Sequence, residues 1–399
     1  MIFEKWQLAH LTARNRVVRS ATYEGFGDAQ GLPRPELGQV YRRLAENHVG
    51  TIITGFAYVS DRGRAMHPAQ TSIATDETVP AWQRVLEPVR ALPEPTVMLL
   101  QIAHAGRQTL VEATGERPLA PSARTSPYFG VRPKAMSERE IEETIDEFAQ
   151  AAKRAKAAGF DGVQLHAAHG YLIHQFLSPF LNRRKDRWGS DRFAFLAEIV
   201  AAIRAACGAC YPIFVKLSVP DMHPSGVDVP LACQYATRIE SLGIEAIEVS
   251  CGTMDRALNI FRGDLPVDRV FRYNPFYRTR PRWVLSLAKR LVIPRVRRQF
   301  LPFTENYNLP AAAAIKAATS VPVIVVGGLR RLNAMTAILS SRQADAVALC
   351  RPLICEPDLI TRFRYHQVLE SRCNQCNSCA IMCDHSTSLR CYQPHKGAS

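Results

Sequence analysis

Between Asn15 and Cys350 one pattern recurs eight times: a short apolar, β-branched run followed by a stretch with helical spacing. The runs are Asn15–Ser20, Thr51–Gly55, Thr96–His104, Gly162–Ala167, Pro212–Ser218, Ala246–Ser250, Val321–Gly328 and Ala346–Cys350. Within each, hydrophobicity is nearly continuous rather than alternating, as expected of parallel strands covered on both faces. The stretches between them read as helices. Ser137 and Glu140 have capping-box spacing and open an amphipathic run to Ala158, which Gly159 stops. Asp191 is placed to cap Arg192–Cys207, and Leu231–Leu242 ends at Gly243. Pro35–Asn47, Ala81–Leu92, Leu309–Thr319 and Leu332–Ser340 complete the series.

Eight β-then-α units in order predict an α/β fold, a closed (β/α)8 TIM barrel. A doubly wound open sheet is the rival. No strand is followed by a G-x-G-x-x-G turn, however, so a dinucleotide-binding sheet has no anchor. The expected organisation is a barrel over residues 1–366 and a cysteine-rich tail over 367–399, with a long insertion at 253–303 after the sixth strand. Such a barrel carries its chemistry at the C-terminal strand ends. Ser20, Gln101, His104, His166, His169, Tyr171, Lys216, Ser250, Gly327, Gly328 and Arg351 all fall there.

The net charge is +14, but it is concentrated. Residues 253–303 hold twelve basic and three acidic side chains, an excess of nine. One local basic surface fits this better than a chain that coats nucleic acid. The N-terminus lacks the basic-then-apolar layout of a signal peptide, and no apolar stretch is long enough to span a bilayer, so a cytoplasmic protein is expected. Five of the eleven cysteines, Cys373, Cys376, Cys379, Cys383 and Cys391, crowd the tail, which in such a protein reads as metal binding before disulfides. The other six read as small buried apolar residues.

After the fourth run comes His166-Ala-Ala-His169-Gly-Tyr171. Two imidazoles three residues apart can converge on one oxygen, and a phenol two positions on can supply a proton; a metal pair or loop histidines satisfied by backbone remain open on spacing alone. The longer stretch HAAHGYLIHQFLSPFLNRRKDRWGS resembles the signature of the old yellow enzyme family of FMN-dependent oxidoreductases. NRVVRSATYEG, QIAHAGR, VVGGLR and ALCRPL resemble that family's first-strand, third-strand and phosphate-binding segments, in the same order. The resemblance implies that Ser20, Ala21 and Thr22 lie against the flavin ring, with Gly55 close to it. It implies Gln101 on the pyrimidine edge, Lys216 near N1 and O2, and Gly327, Gly328 and Arg351 on the phosphate. Two positions depart from the family: Cys350 stands where glycine usually precedes that arginine, and Ala21-Thr22-Tyr23 replaces the usual residues at the ring edge.

The tail spacing C-x₂-C-x₂-C-x₃-C-x₇-C suits a 4Fe–4S cluster or a zinc site. It resembles the barrel-plus-cluster branch of the family, which includes dienoyl-CoA reductases and trimethylamine dehydrogenase. That resemblance favours Cys373, Cys376, Cys379 and Cys391 as ligands and leaves Cys383 spare. Those relatives continue into flavin- and nicotinamide-binding domains, and this sequence ends at Ser399. A separate electron-carrier protein is therefore expected as the donor.

The expected activity is FMN- and cluster-dependent reduction of the C=C bond of an α,β-unsaturated carbonyl or thioester. His166 and His169 would hold the carbonyl oxygen of this small-molecule substrate, and Tyr171 would give the proton. A dehydrogenase or demethylase exporting electrons through the cluster is the alternative, and a non-catalytic barrel the third reading. The insertion, with Val284, Leu285, Ala288, Leu291 and Val292 at helical spacing until Pro294, is expected to cover the substrate site. Its basic face leaves four roles open: a solvated lid surface, docking of an acidic carrier, a coenzyme A-like anion, or peripheral contact with anionic membrane. Exposed eighth-strand and tail elements are compatible with a homo-oligomer.

Overall fold

The computed structural model describes residues 1–273, 280–382 and 389–393. Cys383, Pro394 and the 274–279 part of the insertion lie outside the described residues. The eight runs form eight parallel strands: β1 Val17–Arg19, β2 Thr51–Ile53, β3 Val97–Ala103, β4 Gly162–Ala167, β5 Ile213–Ser218, β6 Ala246–Ser250, β7 Val323–Val326 and β8 Ala346–Leu349. Neighbours in sequence are neighbours in the sheet, and β8 pairs with β1, which closes the barrel. A two-residue strand, Ala57–Tyr58, adds to the upper end of β3.

Around the strands run α1 Glu36–Glu46, α2 Thr78–Arg90, α3 Glu138–Ala158, α4 Ala194–Cys207, α5 Val229–Glu240, α6 Leu309–Ala318, α7 Leu332–Ser340 and α8 Leu359–Arg364. In α3 the buried residues Ile141, Ile145, Phe148, Ala152 and Ala155 recur every three to four positions and make one stripe toward the barrel. Its ends are as the sequence predicts, with a reciprocal Ser137–Glu140 capping box and Gly159 in the left-handed conformation. Two starts differ. α4 begins at Ala194 because Asp191 accepts its hydrogen bond from Phe193 N. α5 begins at Val229, since Asp228 caps it and Pro230 needs no N–H partner in the first turn.

Two apolar layers hold the barrel. Between strands and helices lies the larger core, with Trp82, Phe148, Phe176, Trp188 and Phe195 buried in it. Inside the barrel a second cluster includes Val18, Ile53, Leu99, Phe214 and Ile324, and an antiparallel hairpin, Trp6–Gln7 with Thr12–Ala13, caps it through Trp6, Leu8 and Ala13. That plug seals the N-terminal end, so the C-terminal end is the open one.

The insertion leaves β6 through Met254–Asn259 and contains helices Val267–Tyr273, Arg282–Leu291 and Ile293–Arg297. Pro294 ends one helical pattern as expected, but it also sits in the first turn of the next helix, where its missing N–H costs nothing. No helix among the described residues is long and apolar enough to cross a membrane.

Candidate active site

Above the interior apolar cluster the strands turn polar. β5 and β6 run in register so that Lys216 lies beside Glu248, and β4 places His166 beside Lys216. Lys216 Nζ lies 3.1 Å from Glu248 Oε1 and donates to Ser20 Oγ at 2.8 Å; Ser20 Oγ donates to Glu248 Oε1 at 2.6 Å. Glu248 Oε2 accepts from Gln164 Nε2 at 2.8 Å, and Gln164 Oε1 accepts from Gln101 Nε2 at 2.6 Å. All five side chains are buried. Sequence reading found Ser20, Gln101 and Lys216 but missed Gln164 and Glu248. The available signal was a polar residue in the middle of an otherwise apolar strand.

This network floors a cavity of about 1000 Å³ that opens at the C-terminal end of the barrel. Ser20, Ala21, Thr22, Gln101, His166, His169, Tyr171, Lys216, Gly327, Gly328, Cys350 and Arg351 all line it. Gly55 is not part of that lining. Its N–H donates to both carboxylate oxygens of Glu24, at 3.0 and 2.9 Å, and a Cβ there would meet Glu24 Oε2. Glu24 also pairs with Arg19 at 2.8 Å and accepts from Tyr41 at 2.9 Å, so this glycine serves a buried ionic cluster behind the cavity wall.

On one wall the His166 ring is 5.0 Å from that of His169 and 4.6 Å from that of Tyr171. His169 has φ +58°, a left-handed backbone costing ~1 kcal/mol or more for such a residue, and Gly170 follows at φ +83°. Two anchors hold the turn: His169 N donates to Ser218 Oγ, and its Nε2 lies 2.8 Å from Ser250 Oγ. His166 Nδ1 is buried and has no hydrogen-bond partner among the described residues. Burial, reinforced by the positive charge of Lys216, pushes both imidazoles well below the ordinary histidine range, so both are neutral.

Opposite, Gly327 and Gly328 have φ +126° and +76°; a Cβ on Gly327 would lie 2.6 Å from the Tyr307 ring, and one on Gly328 2.6 Å from Asn306 N. This is a bare backbone turn in which only glycine fits. Arg351 Nη1 donates to Arg262 O at 2.8 Å and to Asn377 Oδ1 at 2.6 Å, tying the site to the insertion and the tail. Thr22 Oγ1 is 3.0 Å from Cys350 Sγ, and Tyr23 stacks on His67 at 4.4 Å. The insertion is latched from below, where buried Arg107 pairs with Asp255 and Gln108 and Ser126 each donate to that carboxylate at 3.0 Å.

A family model described as "NADH:flavin oxidoreductase / NADH oxidase family" matches residues 1–259, more than half the chain. The chain belongs to this family. It is an FMN-dependent oxidoreductase of the old yellow enzyme type, and the bare glycine turn, the cavity and the unpartnered His166 nitrogen fit a flavin and its ligand. It is 28% identical to a 4,4'-dithiodibutanoate disulfide reductase of Rhodococcus erythropolis over 95% of this chain and 92% of that one. It is 30% identical to an NADH oxidase of Thermoanaerobacter brockii over 96% of this chain, yet spans only 53% of that relative. Among solved structures, an old yellow enzyme homologue from Zymomonas mobilis superposes with a TM-score of 0.68 at 25% identity, covering 93% of this chain and 94% of that one.

Beside the large cavity, Cys373, Cys376, Cys379 and Cys391 line one small adjoining cavity of about 20 Å³. Cys355, from the segment after β8, lines it too, with its Sγ 3.7 Å from that of Cys391. Sequence reading passed over Cys355 as one of the scattered buried thiols. Among the described residues, no three His, Cys, Asp or Glu side chains stand in metal-holding geometry as they are. Cys373 and Cys379 line the large cavity as well as the small one.

Proposed function

We propose that this family member reduces the C=C bond of an α,β-unsaturated carbonyl compound or thioester. The observation that carries the reading is the cluster of His166, His169 and Tyr171 on one cavity wall, with both imidazoles neutral. Neutral imidazoles donate N–H bonds to a carbonyl oxygen without binding carboxylates indiscriminately, and such bonds draw electron density from the alkene. Bound FMN would supply the hydride for Cβ. Tyr171 then gives its phenolic proton to Cα and is reprotonated from solvent. Ser20, Ala21, Thr22 and Gln101 would hold the ring, Lys216 its N1–O2 edge, and Gly327, Gly328 and Arg351 the phosphate. Cys350 stands beside that arginine.

The tail thiols of Cys373, Cys376, Cys379 and Cys391 would hold a 4Fe–4S cluster, which supplies one-electron transfer when bound. What supports this is that all four line one small cavity sharing five residues with the large one, Cys373 and Cys379 among them. A separate electron-carrier protein is the proposed donor.

The test is anaerobic single turnover of prereduced, FMN-loaded protein with cyclic enones. Tyr171→Phe should keep full flavin content and lose the rate by about a hundredfold or more, the usual reach of a general acid. An unchanged rate removes Tyr171, and with it this reading of the wall.

A further inference from the structure

The helix Arg282–Leu291 carries two apolar arcs. Ala288 faces the cavity, and Val292, Ile293, Val296 and Phe300 beyond it continue that lining. The other arc, Trp283, Leu287 and Leu291 at i, i+4 and i+8, faces water: Trp283 is 71% exposed, and both leucines are about half exposed. Arg282, Lys289 and Arg290, with Ser286, make its polar arc, and Arg295, Arg297 and Arg298 follow on the next turn. Lys289 is paired with Asp268. Isolated exposed apolar residues need no explanation, but a tryptophan–leucine–leucine stripe bordered by arginines is a contiguous feature.

We propose that this insertion seats the protein on anionic lipid bilayers, with Trp283, Leu287 and Leu291 entering the interfacial layer and the flanking arginines meeting lipid phosphates. An acidic protein would match the charge yet leave the stripe unused. A second copy of this chain would set an excess of nine positive charges against its like. An anionic bilayer satisfies both halves of the helix at once, since tryptophan favours the headgroup level and basic clusters favour negative leaflets. Because the same helix roofs the cavity, the seated protein would present its mouth to the acyl boundary. On the activity proposed above, the matching substrate is a lipophilic enone dissolved in the bilayer.

The sequence supplies its own probe. Trp6, Trp82 and Trp188 are buried, so changes in tryptophan emission report on Trp283. FMN-loaded full-length protein is mixed, without substrate, with vesicles of phosphatidylcholine alone or containing phosphatidylglycerol. Flotation with the anionic vesicles and a blue shift in emission are expected at physiological salt. Trp283→Ala with Leu287→Ser should abolish both, leaving FMN content and reduction of a water-soluble enone unchanged. Each of Arg290→Glu and Arg295→Glu should weaken partition by roughly fivefold or more, the scale of one basic residue at a charged surface. No flotation overturns the proposal. So does equal binding to neutral vesicles, or a Trp283-dependent dimer or acidic-protein complex formed in place of vesicle binding. Because binding is read without turnover, this outcome stands apart from that of the enone assay.

Discussion

Lys216 Nζ and Glu248 Oε1 lie 3.1 Å apart on adjacent strands, and both side chains are buried. An ion pair in that position is held by completeness rather than by strength. Ser20 and Gln164 satisfy the carboxylate oxygens, and removing one charge strands the other in a low-dielectric interior. Lys216→Met is therefore expected to cost about 3–5 kcal/mol, whereas Lys216→Met with Glu248→Leu should recover much of that loss. Urea unfolding of the apoprotein measures both. A single variant within about 1 kcal/mol of the parent shows that the pair is not load-sharing in this way.

His104 gives a pH prediction. Burial, with Arg62 nearby, pushes this imidazole from 6.5 down to about 3. The unfolded chain takes up a proton below 6.5 that the folded chain refuses, so this contribution is whole above 6.5 and is lost as pH falls toward 3. One titrating group changes stability by about 1.4 kcal/mol per pH unit, or about 2 kcal/mol at pH 5. His104→Asn keeps an acceptor for Gly106 N–H and removes the titration. The stability difference between pH 7.5 and pH 5 should shrink by that amount; an unaltered difference places the acid sensitivity elsewhere.

At Gly327 a methyl group would press on the Tyr307 ring while the backbone stays at φ +126°. Gly327→Ala is expected to weaken FMN binding roughly ten- to a hundredfold, the equivalent of ~1–3 kcal/mol of local strain. Fluorescence titration of the apoprotein with FMN measures the change, and riboflavin, which lacks the phosphate, should lose far less.

The contact between Cys355 and Cys391 predicts redundancy in the tail. On the cluster proposed above, Cys391→Ser should retain most of the iron bound by the parent after anaerobic reconstitution, because Cys355 Sγ is 3.7 Å away on the same small cavity. The double variant with Cys355→Ser should lose it. Complete loss of iron in Cys391→Ser alone removes Cys355 from consideration as a substitute ligand.

The barrel was legible because strands covered on both faces leave an unbroken apolar signature, and eight of them in order admit few topologies. The grouping of His166, His169 and Tyr171 on one cavity wall was legible because they fall within six residues, so chain proximity implied spatial proximity. Glu248 escaped notice because its meaning lies in register: only when β5 and β6 align does it stand beside Lys216. Cys355 escaped for a related reason, being 36 residues from Cys391 and separated by α8. The contact of Gly55 with the Glu24 carboxylate was not legible, because the two are 31 residues apart in the chain. In the insertion, helical spacing marked Leu291 as apolar without telling inward from outward, since periodicity fixes a face but not what covers it.

Arg351 touches three parts of the molecule at once. It lines the cavity beside Cys350, binds Arg262 O in the insertion, and binds Asn377 Oδ1 between two tail cysteines, with Gly263 bare enough to let Gln375 O approach. A phosphate drawn to this guanidinium and a metal gathering the tail thiols would therefore bias one shared arrangement of the chain. Thermodynamic linkage then makes their effects reciprocal: whatever factor one contributes to the affinity of the other is returned unchanged. Protein made under iron starvation should emerge pale in flavin as well as in iron, and added flavin should raise the yield of iron recovered on reconstitution. On the cluster proposed above, cofactor loading would be one coupled equilibrium passing through Arg351 rather than two independent events.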